Sequence, residues 1–553
     1  MTYVGGYYMI KEPFLKAGVW DHTASLRRPV SDHILYVCDA LGKTPLMINE
    51  FILDVVTELI ERNETLGGIP PSDMLPLPPM VPDHEWESLT KNERMQVKAD
   101  RERVYSQNAK FTGQREAMFR KAKLATELRD QTFWIPHCPD FRGRLYPQSQ
   151  DLNFTNDDLA RGLIQFAETQ PLTERGVYWM AVRLANNFGL DKLSFDQRVQ
   201  WVVDNDELII DSGANPLDGQ RFWNQADDPF QFLAACREYH RWAEARAEGR
   251  EIDSHLVVNV DATASGLQHL SAWSRDPVAA EVVNMTGRHE RYDIYTIQAD
   301  ALNRLIVRDR ETVEEARNCH GFVDRKTVKR GIMTIPYSVT PQGLRDQFIS
   351  DGHVDHIPGS RIRNANYLRD SLLESLGDTI RKPMEVMTYF KGVAGALADA
   401  NIPLQFRTPM GMTIRQAYWR LNKKEVRTLF GKATLWYSEE SMGLKRNKQM
   451  LAASPNIIHS YDAAHLQAVV LVGSTQKNPI TSWACIHDSV GVHASEVDRL
   501  NKVIREEFVR IYDRPVLEEF HDNQLRHKVS LPSPPQLGAF NLSEVLDAPY
   551  FFS

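Results

Sequence analysis

The stretch "DRKTVKRGIMTIPYS" (residues 324–338) sets Arg325, Lys329, Met333 and Tyr337 at steps of four. A helix turns about 100° and rises about 1.5 Å per residue, so a step of four drifts by only about 40°. The four side chains therefore share one stripe, about 18 Å from first to last. Arg and Lys at one end suit phosphates, one as a planar fork and the other as a point charge. Met and Tyr at the other end suit a flat, partly polar body. A nucleoside triphosphate has its parts in that order. Taken alone, the stretch is more simply an amphipathic helix with a solvated basic side, as charge runs generally are. Pro336 should end or kink the helix just before Tyr337, and Ser338 tolerates a positive φ less well than glycine.

Outward from this stretch, two short β-rich runs carry acids at their ends. "HLVVNVDATASG" (255–266) runs through apolar residues to Asp261. "TSWACIHDSVGVHASE" (481–496) holds two such runs joined by His487-Asp488-Ser489, the pattern of a hairpin with His-Asp at its turn. A carboxylate beside an apolar strand is costly unless paired or metal-bound. Two on neighbouring strands can hold magnesium, which takes oxygen ligands and shares them with substrate phosphates. Each aspartate alone is better explained by a turn or a cap; the two together with the cationic helix are not.

Composition sets bounds. The chain has 553 residues, 42% apolar and 25% charged, enough for several subdomains. No apolar run is long enough to span a bilayer, and "MTYVGGYYMIKEPFLKAG" has neither a signal-peptide core nor an Arg-rich transit pattern. Five scattered cysteines with no CxxC pair argue for a reducing compartment and against a structural zinc site. A net charge of −8 gives no support to non-specific nucleic-acid binding. Residues 91–130, however, carry eleven Lys/Arg against six Asp/Glu. A local basic channel is compatible with an acidic total.

Periodicity gives the organisation. "INEFILDVVTELIERN" (48–63) has helical spacing, and six prolines between Pro70 and Pro82 predict an extended connector. A charged, nearly glycine-free helical segment follows, from Glu85 to about Arg129. "LIQFA" and "GVYWMAVRLANNFG" (176–189) are read as opening a helical stretch. The sum is an α+β chain: a small antiparallel sheet, with helices inserted between its strands.

These segments resemble a known family. "VNVDATASGLQHLSA", "DRKTVKRGIMTIPYS" and "CIHDSVGVHA" look like motifs A, B and C of the single-subunit RNA polymerases of phages and mitochondria. "CPDFRGRLYP" (138–147), "RYDIYTIQA" (291–299) and "NIIHSYDAAHL" (456–466) are similar to further elements of that family. The match in order and spacing runs from about residue 20 to the end of the chain.

The resemblance implies a right-hand polymerase fold with a small antiparallel palm sheet and mostly helical fingers and thumb. It places a short N-terminal remnant at 1–44 and a thumb at 45–130. The palm would be 131–288 and 460–553, with fingers at 289–459. A specificity loop is implied at about 421–448, with Arg446, Asn447 and Lys448 as candidate DNA contacts.

By the same resemblance, Asp261 and Asp488 would ligate two magnesium ions. Arg325 and Lys329 would hold the triphosphate, and Lys329 would protonate the leaving pyrophosphate. Tyr337 and Tyr295 would flank the incoming nucleotide, with His459 facing the ribose hydroxyls. His487, Asp140 and Arg144 would contact the primer end, template and hybrid. An aromatic C-terminus ("PYFFS") would pack near the site.

Two rivals remain at this point: a DNA polymerase of the related family A, and a nucleic-acid-binding protein with a dead polymerase fold. Five residues after Asp261 stands Gly266, where such DNA polymerases carry a glutamate that excludes a 2′-hydroxyl, and Ser489 follows Asp488 where they carry glutamate. Both positions favour RNA. The expected partners are a DNA template, RNA product and ribonucleoside triphosphates, with no membrane and a monomeric state. The family's N-terminal domain normally precedes the segment that "GGYYMIKEP" (5–13) resembles. The chain is therefore expected to lack most of it and to need a helper protein to open promoters. The expected compartment is the cytoplasm, that of an infected bacterium if phage-encoded.

Overall fold

The computed structural model describes residues 14–15, 31–429, 431–438 and 440–553. The segment 5–13 and most of the expected N-terminal remnant lie outside the described residues. The rest is a mixed structure, mainly helical, with several small antiparallel sheets.

One three-stranded sheet organises the centre, in the order Ala484–Ile486, Ser489–His493, Val257–Asp261, antiparallel throughout. Val257, Val258, Asn259 and Val260 are all buried, so this strand lies within the core on both faces. That is why its apolar run is continuous rather than alternating. Gly491 sits at the middle of the ladder. A Cβ there would lie 2.8 Å from the Asn259 amide and 3.0 Å from the Ala484 carbonyl, so no side chain fits.

Helices close round this sheet. Ser265–Ser274 follows the Asp261 strand and is buried at all ten positions. It packs against Arg381–Asp399 and against the 30-residue helix Arg446–Thr475. Trp273, Phe390, Phe508 and Tyr512 join these elements in one core. A second core gathers Ile52, Val56, Phe166, Leu184, Trp223 and Phe232.

The helix Glu50–Arg62 and the 37-residue helix Lys91–Glu127 form as their spacing predicts. The proline-rich segment between them is extended. It has no ladder of its own and uses the long helix instead: Asn108 bonds both the amide and the carbonyl of Leu75, at 2.8 and 3.0 Å, and Arg115 donates to the Pro70 carbonyl. An extended chain with solvated backbone groups gains fixed partners this way.

Two readings are corrected. "LIQFA" does not open a helix: Ile164–Phe166 is a strand paired antiparallel with Leu46–Ile48. A short apolar run has no periodicity to separate strand from helix, and here a distant partner strand decides. Glu174–Phe188 is the helix. Within 421–448, the hairpin is Leu421–Thr428 with Gly431–Ser438. Arg446, Asn447 and Lys448 open the long helix Arg446–Thr475 instead, where Arg446 meets Asp399 at 2.7 Å and Lys448 lies over the Tyr418 ring.

The "PYFFS" segment is ordered. Phe551 and Phe552 are buried, and Ser553 N–H donates to the Asp261 carbonyl at 3.0 Å. All five cysteines are free and buried. No helix among the described residues is long and apolar enough to cross a membrane.

Candidate active site

The sheet brings the two predicted carboxylates together. Ser489 stands opposite Asp261 in the ladder, and Ala262 N–H donates to the Asp488 carbonyl at 3.1 Å. Asp261 opens onto a cleft, yet protein surrounds it closely. Burial raises its carboxyl, against a hydrogen bond from Ser489 and the charges of Arg183 and Arg161. Asp488 is pushed up to about 7, first by burial and then by the negative charges of Asp462 and Asp261. The turn between the strands sets His487 at φ 54°, a left-handed conformation that costs a non-glycine residue about 1–2 kcal/mol. Such cost is tolerated where the surroundings fix the geometry.

Among the described residues no three His, Cys, Asp or Glu side chains converge as a ready-made metal cage. Two neighbouring hard-oxygen ligands, both with raised pKa values and one raised in part by the other, still fit magnesium, which keeps waters and substrate oxygens in its remaining positions.

Beside Asp488 lies a cavity of about 250 Å³. Its wall includes Arg325, Lys329, Met333 and Tyr337, all four residues of the predicted stripe, together with Tyr295 and Gly266. The helix that carries the stripe, Arg325–Thr334, starts on an Asp324 cap whose side chain accepts from Thr327 N–H at 2.9 Å. It ends before Pro336, as expected. Tyr337 is therefore delivered by a turn, Tyr337 N–H to the Thr334 carbonyl at 3.2 Å, and not by a continuous helix. Ser338 closes that turn at φ 60°. The Ser454 hydroxyl donates to the Pro336 carbonyl at 2.9 Å and pins the turn to the long helix.

Arg325 is held by Asp293 and lies over the Tyr295 ring, 5.3 Å from its centroid. Burial raises the Asp293 carboxyl, but hydrogen bonds from Arg325 and Thr296 outweigh it and keep it below the usual range. Lys192, which sequence reasoning missed, adds a third cation to the same cavity. Burial lowers its pKa, with Asp191 alongside acting against this. Nothing in "GLDKL" distinguishes it from a surface lysine.

At the far end the Tyr337 ring meets the His459 ring at 4.5 Å between centroids. A Cβ on Gly266 would lie 3.1 Å from Pro336 Cβ and 3.2 Å from the Tyr337 hydroxyl. Glycine thus lets the phenol come close. Burial pushes the Tyr337 phenol up to about 12, with Asp462 adding and Arg144 opposing. His459 is pushed down to about 3 by burial and then by Arg144 and Arg142. It is neutral, and its Nδ1 accepts from Arg142 at 2.8 Å.

Asp140 and Arg144 do not pair with each other. Asp140 pairs with Arg142, at 2.8 Å, and accepts the Arg142 and Arg144 amides. A carboxylate two residues before Arg142 closes a tight loop that leaves the Arg144 side chain pointing away. Arg144 instead reaches Asp462 at 2.7 Å. His487 packs edge-on to Tyr146 at 4.9 Å, its pKa lowered by burial. Asp462 was also missed, although "SYDAAHL" shows the signal: a lone carboxylate among small and apolar residues in a buried helix.

Residues 170–528 match the family described as DNA-dependent RNA polymerase. The chain belongs to that family. DNA-directed RNA polymerase 1, mitochondrial, of Nicotiana sylvestris is 33% identical over 535 residues, covering 94% of this chain and 52% of the relative. DNA-directed RNA polymerase 2, chloroplastic/mitochondrial, of the same plant is 33% identical over 93% of this chain and 51% of its own length. The mitochondrial polymerase 1 of Arabidopsis thaliana is 31% identical over 93% and 53%. The chain thus spans about half the length of these polymerase relatives. Their names overturn the compartment read from the sequence. They are mitochondrial and chloroplastic polymerases, so similarity gives no ground for a bacterial host cytoplasm.

Proposed function

We propose that this chain is the catalytic hand of a DNA-directed RNA polymerase, adding ribonucleoside triphosphates to the 3′ end of RNA on a DNA template. The observation that carries this is the cavity beside Asp488, whose wall holds three cations together with Tyr337 and Gly266, with the His459 ring packed against Tyr337. Its cations suit a triphosphate and its aromatic wall a nucleoside, with Asp488 in the wall and Asp261 next to the lining residue Ala262. In this reading residues 45–130 are the thumb, 131–288 and 460–553 the palm, and 289–459 the fingers.

Arg325, Lys329 and Lys192 bind the triphosphate. The 3′-hydroxyl of the RNA gives its proton to water as its oxygen attacks the α-phosphorus, the bond to the α,β-bridging oxygen breaks, and pyrophosphate leaves with a proton from Lys329, which solvent then restores. Asp261 and Asp488 hold two magnesium ions. Bound there, magnesium supplies Lewis acidity for the attacking and leaving oxygens. Tyr295 and Tyr337 flank the nucleotide, and His459 faces the ribose hydroxyls. Asp140, Arg144 and His487 border the path of template and primer end. A site that hydrogen-bonds a hydroxyl rejects the analogue lacking it, and Gly266 puts no bulk where a 2′-hydroxyl must go. That favours RNA over DNA synthesis.

The test is extension of an RNA primer on a DNA template with magnesium and labelled ribonucleotides or deoxyribonucleotides. Preferred ribonucleotide addition is expected. Preferred deoxyribonucleotide addition would make the chain a DNA polymerase. Template binding with no addition of either would make it a binding protein.

A further inference from the structure

Asp462 lies behind the proposed nucleotide cavity, 4% exposed. Its two oxygens are divided between two elements. Oδ2 accepts from Arg144 Nη2 at 2.7 Å and Nε at 3.1 Å, a fork on one oxygen. Oδ1 accepts from the Ser265 hydroxyl at 2.9 Å, and the His269 ring lies 3.8 Å away. Burial opposes the charge on Asp462, but the Arg144 guanidinium and the Ser265 hydroxyl overcome this and hold it ionised. A buried charge that is fully paired fixes the geometry of what it pairs with.

What it pairs with borders the Tyr337 hydroxyl on both sides. The Arg144 guanidinium lies near enough to that phenol to pull its pKa down against burial. Ser265 immediately precedes Gly266, whose missing Cβ would stand 3.2 Å from the phenol oxygen. One turn earlier on the same long helix, His459 stacks against the Tyr337 ring. A single helix thus supports the ring through His459 and both neighbours of its hydroxyl through Asp462.

We infer that Asp462 is a positioning residue for sugar selection: its carboxylate sets Arg144 and the Ser265–Gly266 backbone around the Tyr337 hydroxyl, so that the hydroxyl is aimed at a ribose 2′-oxygen. It touches no substrate itself and acts through Tyr337. This rests on the nucleotidyl-transfer reading above. Asp462→Asn keeps an acceptor for Ser265 and removes the charge that anchors Arg144.

The experiment is a double-mutant cycle on the ratio of ribonucleotide to deoxyribonucleotide kcat/KM. It compares wild type, Asp462→Asn, Tyr337→Phe and the double variant in primer extension. Asp462→Asn is expected to lower the ratio about tenfold, the worth of one hydrogen bond to a charged group. The double variant should fall no further than the more severe single one. A residue that only stabilises the fold would lower both rates together and leave the ratio alone, and that result overturns the inference. So does a double variant whose loss is the product of the two singles. Ser265→Ala, which removes one tether without touching the ion pair, is the second arm and decides if Asp462→Asn does not fold. A ratio lowered by Ser265→Ala, and not lowered further by adding Tyr337→Phe, supports the inference; an unchanged ratio refutes it. If wild type adds neither kind of nucleotide, the polymerase reading fails instead.

Discussion

Ala262 N–H donates to the carbonyl of Asp488 at 3.1 Å, fastening the residue after one proposed metal-binding carboxylate to the residue that bears the other. The two acids are far apart in sequence, but the ladder pairs Asp261 with Ser489, the residue after Asp488, and so sets their spacing. A metal pair needs that rigidity.

Replacing Asp261 or Asp488 by alanine should therefore abolish nucleotide addition, by about a thousandfold or more, in a protein that still folds. Removing a buried like charge relieves repulsion, so thermal stability without metal should not fall. Primer extension and thermal unfolding check both points. Near-normal extension by either variant would refute the assignment of the metal ligands.

Gly266→Ala should reduce both rate and sugar selectivity, by roughly tenfold each. The new Cβ meets Pro336 and the Tyr337 hydroxyl at distances that force one of them to give. Pro336 is pinned by Ser454, so the phenol moves. Parallel incorporation of ribonucleotides and deoxyribonucleotides measures this. An alanine variant with the parental ratio would show that the phenol's position does not govern selection.

The hairpin Leu421–Thr428 with Gly431–Ser438 projects with Lys423, Lys424, Arg427 and Lys432 exposed, and Leu435, Trp436 and Tyr437 also largely exposed. Two strands alone are marginally stable, and a bound partner would steady this arm. With duplex DNA as that partner, changing the four cations to serine should blunt the salt dependence of DNA binding. The slope of log K against log salt should fall by about 0.9 for each phosphate no longer neutralised. Extension of a preformed primer should be unaffected. An unaltered salt slope would take the arm off the DNA.

Acid should destabilise the fold above the range where carboxylates titrate. Burial pushes His269 down to about 3, and His465 and His493 to about 4. Around His269 stand Asp462, His465, Arg144 and Tyr512. In the unfolded chain these rings titrate near pH 6.5, so below that only the unfolded state takes up protons. Stability is complete above about pH 6.5 and lost as pH falls towards 4, by about 1.4 kcal/mol per pH unit for each ring. Urea unfolding at stepped pH should show this, and His269→Gln should remove one ring's share of the slope. An identical slope in the variant would mean that His269 is protonated in the fold.

Much of the site was legible because its signals are local. A continuous apolar run ending on Asp261, a hairpin turn holding Asp488, and a four-step stripe each declare themselves within a few residues. Pro336 even announced where the helix must stop. What stayed hidden depends on the rest of the chain. Arg144 has an acid four residues away, yet its partner is Asp462. Lys192 joins the wall of the cavity only when the Arg325–Thr334 helix lies across from it. "LIQFA" is a strand only because Leu46–Ile48 lies beside it. Arg446 left the hairpin for Asp399. In each case a long-range partner overruled the neighbourhood.

The central sheet has a consequence for how the molecule comes into being. Val257–Asp261 pairs with Ser489–His493, a strand that is synthesised much later in the chain. At about 5–20 residues per second, a ribosome leaves that edge unsatisfied for about ten seconds or more. During this interval an apolar strand with open hydrogen-bonding groups is a template for pairing with other chains. Assembly, more than final stability, is then the vulnerable stage. Slow translation or scarce chaperones should cost yield through aggregation, and the chain that escapes should be as stable as any other.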